Sequence, residues 1–116
     1  MACYQEDVSF ASGSGERVEG KTAFRERIAA GLAAMPDMHL AIDRVLAEGD
    51  RVAVEWTLTG TNTVEMQMPN GGPPIPPTGK SVLLGVATVY EVGGGLIASE
   101  HEYLDTGLVF SQLGLA

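Results

Sequence analysis

The sequence predicts an α+β domain: a curved antiparallel sheet wrapped on a helix. Three observations predict it. One amphipathic helix lies between Lys21 and Met35, period-two apolar patterning runs through most of the chain after it, and turn signals rich in glycine fold successive strands back on each other. A sheet curved around a helix leaves a conical hollow, the kind of concave apolar site that holds small molecules.

A first strand precedes the helix. In the helix, Phe24, Ile28, Leu32 and Met35 recur at spacings of four and three and so share one face, while Arg25 and Glu26 lie elsewhere. Gly20 or Thr22 serves its start, and Pro36 stops it because the proline ring clashes with the preceding turn. Gly31 weakens it by about 1 kcal/mol relative to alanine, so packing must hold it. Residues 38–47 read as a strand with Met38, Leu40, Ile42 and Leu46 on one side. Glu48-Gly49-Asp50 then forms a hairpin turn. Arg51 to Gly60 alternates Val52, Val54, Trp56 and Leu58 against Arg51, Glu55, Thr57 and Thr59. The prolines of residues 70–80 lack the N–H that a central strand needs, so this segment is an ordered loop or an edge. Residues 81–92 form a long strand, Gly93-Gly94-Gly95 a tight turn, residues 96–105 a returning strand, and Thr106 to Leu113 a short closing helix.

Composition narrows the function. The chain has 116 residues, enough for one domain, with 7 Lys and Arg against 15 Asp and Glu, a formal charge of −8. Such a surface repels phosphate backbones, which argues against nucleic acid and anionic membranes as partners. No apolar run reaches the ~18–20 residues that span a bilayer, and the N-terminus carries no basic start or apolar stretch of a signal peptide. The expectation is a soluble cytoplasmic protein. Its one cysteine, Cys3, can form no internal disulfide.

No phosphate-binding loop, paired CxxC, HExxH or GxSxG motif occurs. His39 and His101 stand far apart with no ligand cluster around them, so a metal site is not expected. The stretch that draws attention is Ser99-Glu100-His101-Glu102-Tyr103-Leu104-Asp105. Strand alternation puts Ser99, His101, Tyr103 and Asp105 on one face and Glu100, Glu102 and Leu104 on the other. If the first face lines the hollow, Asp105 becomes a general acid/base with His101 to orient it, and burial raises its pKa. The structural alternative is that Asp105 caps the last helix, that His101 and Tyr103 lie on a partly exposed face, and that Trp56 belongs to the core.

At this point the sequence resembles a known family. The segments GDRVAVEWTLTGT (49–61), IPPTGKSV (75–82), YEVGGGLIASEHEYLD (90–105) and QLGL (112–115), with VEGKTAFRE (18–26) and the Met35-Pro36-Asp37 helix exit, resemble the SnoaL-like polyketide cyclases. These belong to the nuclear-transport-factor-2-like, or ketosteroid-isomerase-like, superfamily of α+β cones. The resemblance implies that Asp105 is the acid/base of an intramolecular aldol ring closure, without metal or cofactor, in a homodimer that associates through the sheet. In that family a long first helix covers the mouth of the cone. Here Met1 falls a few residues before the first strand, so that helix is expected to be missing. A steroid isomerase is disfavoured, because the place of its carboxylate base holds Ser12 and that of its oxyanion donor falls near Thr88. Arg44 and Arg51 do not make the arrangement of a limonene epoxide hydrolase.

Two functions therefore compete. The first is a cyclase-type enzyme acting on a small apolar carbonyl compound, with Asp105 and His101 catalytic and Phe10, Trp56, Tyr90 and Tyr103 packing the ligand. The second is a non-catalytic binding or dimerisation module of the same fold. A protein-interaction adaptor ranks behind both.

Overall fold

The computed structural model describes residues 1–67 and 72–115. Among these, the elements run β1 (Tyr4–Ser12), β2 (Arg17–Glu19), α1 (Lys21–Ala34), β3 (His39–Glu48), β4 (Arg51–Thr61), β5 (Ser81–Gly93), β6 (Leu96–Leu104) and α2 (Thr106–Gln112). The six strands form one curved, open sheet in the order β2-β1-β6-β5-β4-β3. Neighbours are antiparallel except β1 and β6, which run parallel. This is the expected α+β architecture.

Strand β5 defines the two faces of the sheet. Val82, Leu84, Val86 and Thr88 are buried, while Ser81, Leu83, Gly85 and Ala87 between them are exposed. On the buried, inner face two apolar clusters form. Val8, Phe10 and Phe24 gather where α1 crosses β1 and β2, and Met35, Val82, Leu84, Val86 and Leu113 gather where α2 meets β5. Helix α1 touches β1 and β2 and, among the described residues, no other strand. That explains one departure from expectation: Phe24 is buried and Ile28 half-buried, but Leu32, further along the same stripe, is 51% exposed.

A second departure concerns β3. Its pairing with β4 shifts between Ile42 and Arg44, so Asp43 is an extra residue in the strand. Leu40 and Ile42 lie opposite Leu58 and Trp56 on the inner face, as expected. Beyond the bulge the faces exchange. Val45 now opposes Val54 inside, and Leu46 opposes Ala53 outside. At the other end of β4, Gly60 is required by packing: a Cβ there would lie 2.8 Å from Met35 Sδ.

Residues 70 and 71 of the expected proline loop lie outside the described residues. From 72 to 80 the chain is irregular, with one isolated pairing of Met66 and Ile75. Asn62 holds this return. It is fully buried; its Oδ1 accepts from the N–H and hydroxyl of Thr78 at 2.8 Å each, and its Nδ2 donates to the Val64 carbonyl at 3.0 Å. Replacing Asn62 by Ala removes the three hydrogen bonds of a fully buried side chain, which costs roughly 1–3 kcal/mol. Urea denaturation of Asn62→Ala should show a loss in that range with an unchanged slope.

Candidate functional site

The chemistry of the inner face is decided in the β5–β6 hairpin. Gly94 and Gly95, at φ 60° and 81°, close a two-residue turn between paired Gly93 and Leu96. Val92 then pairs with Ile97, but Glu91 pairs with Ser99, so Ala98 is an extra residue. Pairing continued without it would set His101 opposite Thr88 and Tyr103 opposite Val86. With it, Glu102 faces Thr88, Leu104 faces Val86 and Glu100 faces Tyr90. Residues opposed across an antiparallel pair share a face, so the even-numbered side chains of β6 turn inward.

Two glutamates therefore stand on the buried side of the sheet. Glu100 is 7% exposed, and the Tyr4 hydroxyl donates to its Oε1 at 2.9 Å. Tyr90 and Glu102 flank it on the same face. Arg27 reaches over from α1. Its Nε and Nη2 grip the Glu16 carboxylate at 3.1–3.3 Å, and its guanidinium lies 5.1 Å from the centre of the Phe10 ring. Burial raises the Glu100 carboxyl above its ordinary range, with Glu102 adding to the rise and Tyr4 and Arg27 opposing it. Burial likewise raises Glu102, opposed by Arg27 and reinforced by Glu16. The phenols of Tyr4 and Tyr90 are pushed up, first by burial and then by the negative charge of Glu100. Two carboxyls raised by burial are thus set into the inner face.

The residues expected from the sequence divide between the faces. Phe10, Trp56 and Tyr90 are inside. Phe10 stacks on Phe24 at 5.2 Å and belongs to the core, Trp56 packs half-buried against the second cluster, and Tyr90 adjoins Glu100. The expectation that Ser99, His101, Tyr103 and Asp105 turn into the hollow is overturned. His101 is exposed, and Tyr103 is 52% exposed beside Gly13, where a Cβ would lie 3.0 Å from its ring. Asp105 is exposed and caps α2, its Oδ1 accepting from the Leu108 N–H at 3.0 Å. The physical reason is the one-residue bulge at Ala98. Tyr103 and Asp105 instead border an open groove of about 620 Å³ whose other side carries Asp43, Arg44 and Glu55, with Gly85 and Ala87 between. Glu100 and Glu102 were missed because alternating glutamates look like a solvated face. The usable signal was Leu104, the aliphatic residue that shares their parity.

Among the described residues no group of three His, Cys, Asp or Glu side chains is placed to hold a metal ion. No helix is long and apolar enough to cross a membrane.

The raised carboxyls have a consequence for stability. A glutamate whose folded pKa exceeds its unfolded value contributes fully below the ordinary carboxylate range, and that contribution is lost as pH rises through the folded value. Glu100 and Glu102 therefore lower stability as pH rises through and above the ordinary carboxylate range. The neutral isostere Glu102→Gln should be more stable than wild type well above that range and decline less on going there from below it. Denaturant midpoints measured on the two sides of the range check this, and an unchanged decline counts against a buried carboxyl at position 102.

Comparison with known proteins gives the fold a family. Residues 1–100 match the SnoaL-like domain. A candidate SnoaL-like polyketide cyclase from Jannaschia sp. CCS1 superposes with a TM-score of 0.87 at 21% identity, over 99% of this chain and 76% of that one. AclR from Streptomyces galilaeus, a candidate hydroxylase, gives 0.80 at 23% identity, over 99% and 80% of the two chains. A protein from Catenulispora acidiphila with a ketosteroid isomerase-like fold, solved with trimethylamine, gives 0.77 at 20%, over 99% and 79%. Identities this low establish the shared fold and leave chemistry to the residues of each chain. No curated protein sequence matches significantly. With the family match covering most of its length and the cone-type sheet present, the chain belongs to the SnoaL-like domain family.

Proposed function

We propose that this protein catalyses cofactor-independent ring closure of the aldol type on a small apolar carbonyl compound, with Glu102 and Glu100 as the acid/base pair. The observation that supports this best is the placement of two carboxyls, both raised by burial, on the inner face of one strand. A carboxyl raised by burial keeps its proton to higher pH than an exposed one and can both take and give it, as enolisation and reprotonation require. In this reading Glu102, ionised, removes a proton from the carbon next to a carbonyl. The enolate carbon attacks a second carbonyl of the same molecule and a carbon–carbon bond forms. Glu100, protonated, gives its proton to the new alkoxide oxygen. The proton gained by Glu102 then passes to Glu100, and the pair is reset. Tyr4 can keep donating to one oxygen of Glu100 while the other delivers the proton. Trp56, Leu58 and Tyr90, half-buried on the same face, supply an apolar bed for the substrate.

A second reading keeps the acid/base that the family resemblance implies. Asp105 and Tyr103 share the outer groove with Glu55 and Asp43, and that groove is roomy enough for a small ligand. Asn caps helices as well as Asp does, so Asp105→Asn removes the charge and keeps the cap.

Cyclisation of a panel of β-polyketide methyl esters, followed by chromatography and mass spectrometry, separates these readings. Glu102→Gln should lower turnover by about 100-fold or more, and Asp105→Asn should leave it near wild type. The reverse pattern moves the chemistry to the outer groove. Saturable ligand binding by a wild type that turns nothing over marks a binding module instead.

A further inference from the structure

We infer that Glu16 is a positioning residue of the inner glutamates: by gripping Arg27 it stops the guanidinium from closing on Glu100 and Glu102, and so keeps one proton on the pair. This rests on the acid/base reading, in which Glu102 is ionised while Glu100 still holds a proton. A buried pair beside an uncommitted cation loses both protons readily, and a buried pair with no cation near it keeps both. Neither state can run the cycle.

The turn between β1 and β2 fixes Glu16 beside the pair. Across the parallel pairing of β1 and β6, Ser12 lies next to Glu102 and Phe10 next to Glu100. The Gly13 N–H donates to the Glu102 carbonyl at 2.9 Å, which ties the turn to the strand that carries both glutamates. The Ser12 N–H donates to the Glu16 carbonyl at 2.9 Å, and the Gly15 N–H donates to the Ser12 carbonyl at 2.9 Å, with Gly15 at a φ of 100°. Arg27 reaches the same place from α1. Its Nε lies 3.3 and 3.2 Å from the two oxygens of Glu16 and its Nη2 lies 3.1 Å from Oε1, a fork that fixes the plane of the guanidinium. The Phe10 ring, 5.1 Å from Arg27 Cζ, holds its face. The side chains of Arg27 and Glu16 are 35% and 20% exposed, so this ion pair is shielded in a way that a surface pair is not.

Four groups bear on the two carboxyls: Tyr4 from β1, Tyr90 from β5, Arg27 from α1 and Glu16 from the turn. Both phenols are pushed up and stay neutral, which leaves Arg27 and Glu16 as the charges that set the balance. The remaining charges of α1 are spent elsewhere: Lys21 lies 3.7 Å from Glu6, and Arg25 and Glu26 are exposed. Arg27 favours ionisation of both glutamates, and Glu16 opposes it at Glu102. Because cation and anion are locked together, neither acts on the pair at full strength.

Carboxyl 13C NMR titration of the whole chain reads this balance directly, with Glu100→Gln and Glu102→Gln identifying the two signals. Glu16→Gln keeps an oxygen for Arg27 and removes the negative charge, so the Glu102 signal should move to lower pH by about one unit. Arg27→Met keeps the contact with Phe10 and should move both signals to higher pH. The double variant removes both charges and should fall between the two. A merely structural role for Glu16 would lower the unfolding midpoint and move neither signal. A Glu102 signal that stays in place in Glu16→Gln, or moves to higher pH, overturns the inference whatever the turnover. Movement as expected upholds it, and turnover then tests the acid/base reading alone: the pH profile of ring closure should follow the signals in Glu16→Gln. A profile that ignores them sinks that reading and leaves the proton balance standing.

Discussion

The feature on which the rest of the molecule depends is one unpaired backbone residue, Ala98. The glycine turn sets the β5–β6 hairpin in one register, and two pairs later the extra residue moves it into another. Strand geometry allows no intermediate: each side chain beyond the bulge points to one face or the other. The bulge sets Leu104 and Glu100 opposite Val86 and Tyr90, on the inner face. Its cost is that two carboxyls come inside along with Leu104.

That cost explains the company these carboxyls keep. Alternate residues on a strand are about 6–7 Å apart, and two unit charges at that distance repel by roughly 2–3 kcal/mol at an effective dielectric of ~20. A phenol donor on Glu100 and a guanidinium within reach of both offset part of this. Arg27 is itself committed to Glu16, so it moderates the pair without neutralising it. The two carboxyls therefore hold their protons more tightly than exposed ones do, at a cost to stability once both ionise.

The motifs that made the family recognisable turn out to hold the fold together. Gln112 of QLGL mimics a strand neighbour, accepting from the Leu83 N–H at 2.9 Å and donating to the Leu83 carbonyl at 2.8 Å where β6 has ended. Leu113 is buried in the second cluster, and Gly114 takes a φ of 76°. In the PPTGK segment, Thr78 bonds to Asn62, and the Gly79 N–H donates to the Asn62 carbonyl. Such residues are recognisable in isolation because each answers a local backbone demand.

By itself the sequence determined the α+β class, the turns and every element but the short strand β2, because helix periodicity, strand alternation and glycine or proline chemistry act over a few neighbouring residues, whereas three residues are too few to show a period. Asp105 as a cap was legible for the same reason. Which face of β6 turns inward, and which half of β3 exchanges faces, only the tertiary structure decided. Both depend on bulges at Ala98 and Asp43, and neither residue carries a local signature: each is an ordinary side chain whose extra place in the ladder exists only relative to the strand beside it. The inner glutamates, and the apolar run exposed on β3, follow from pairings between strands and not from either strand alone.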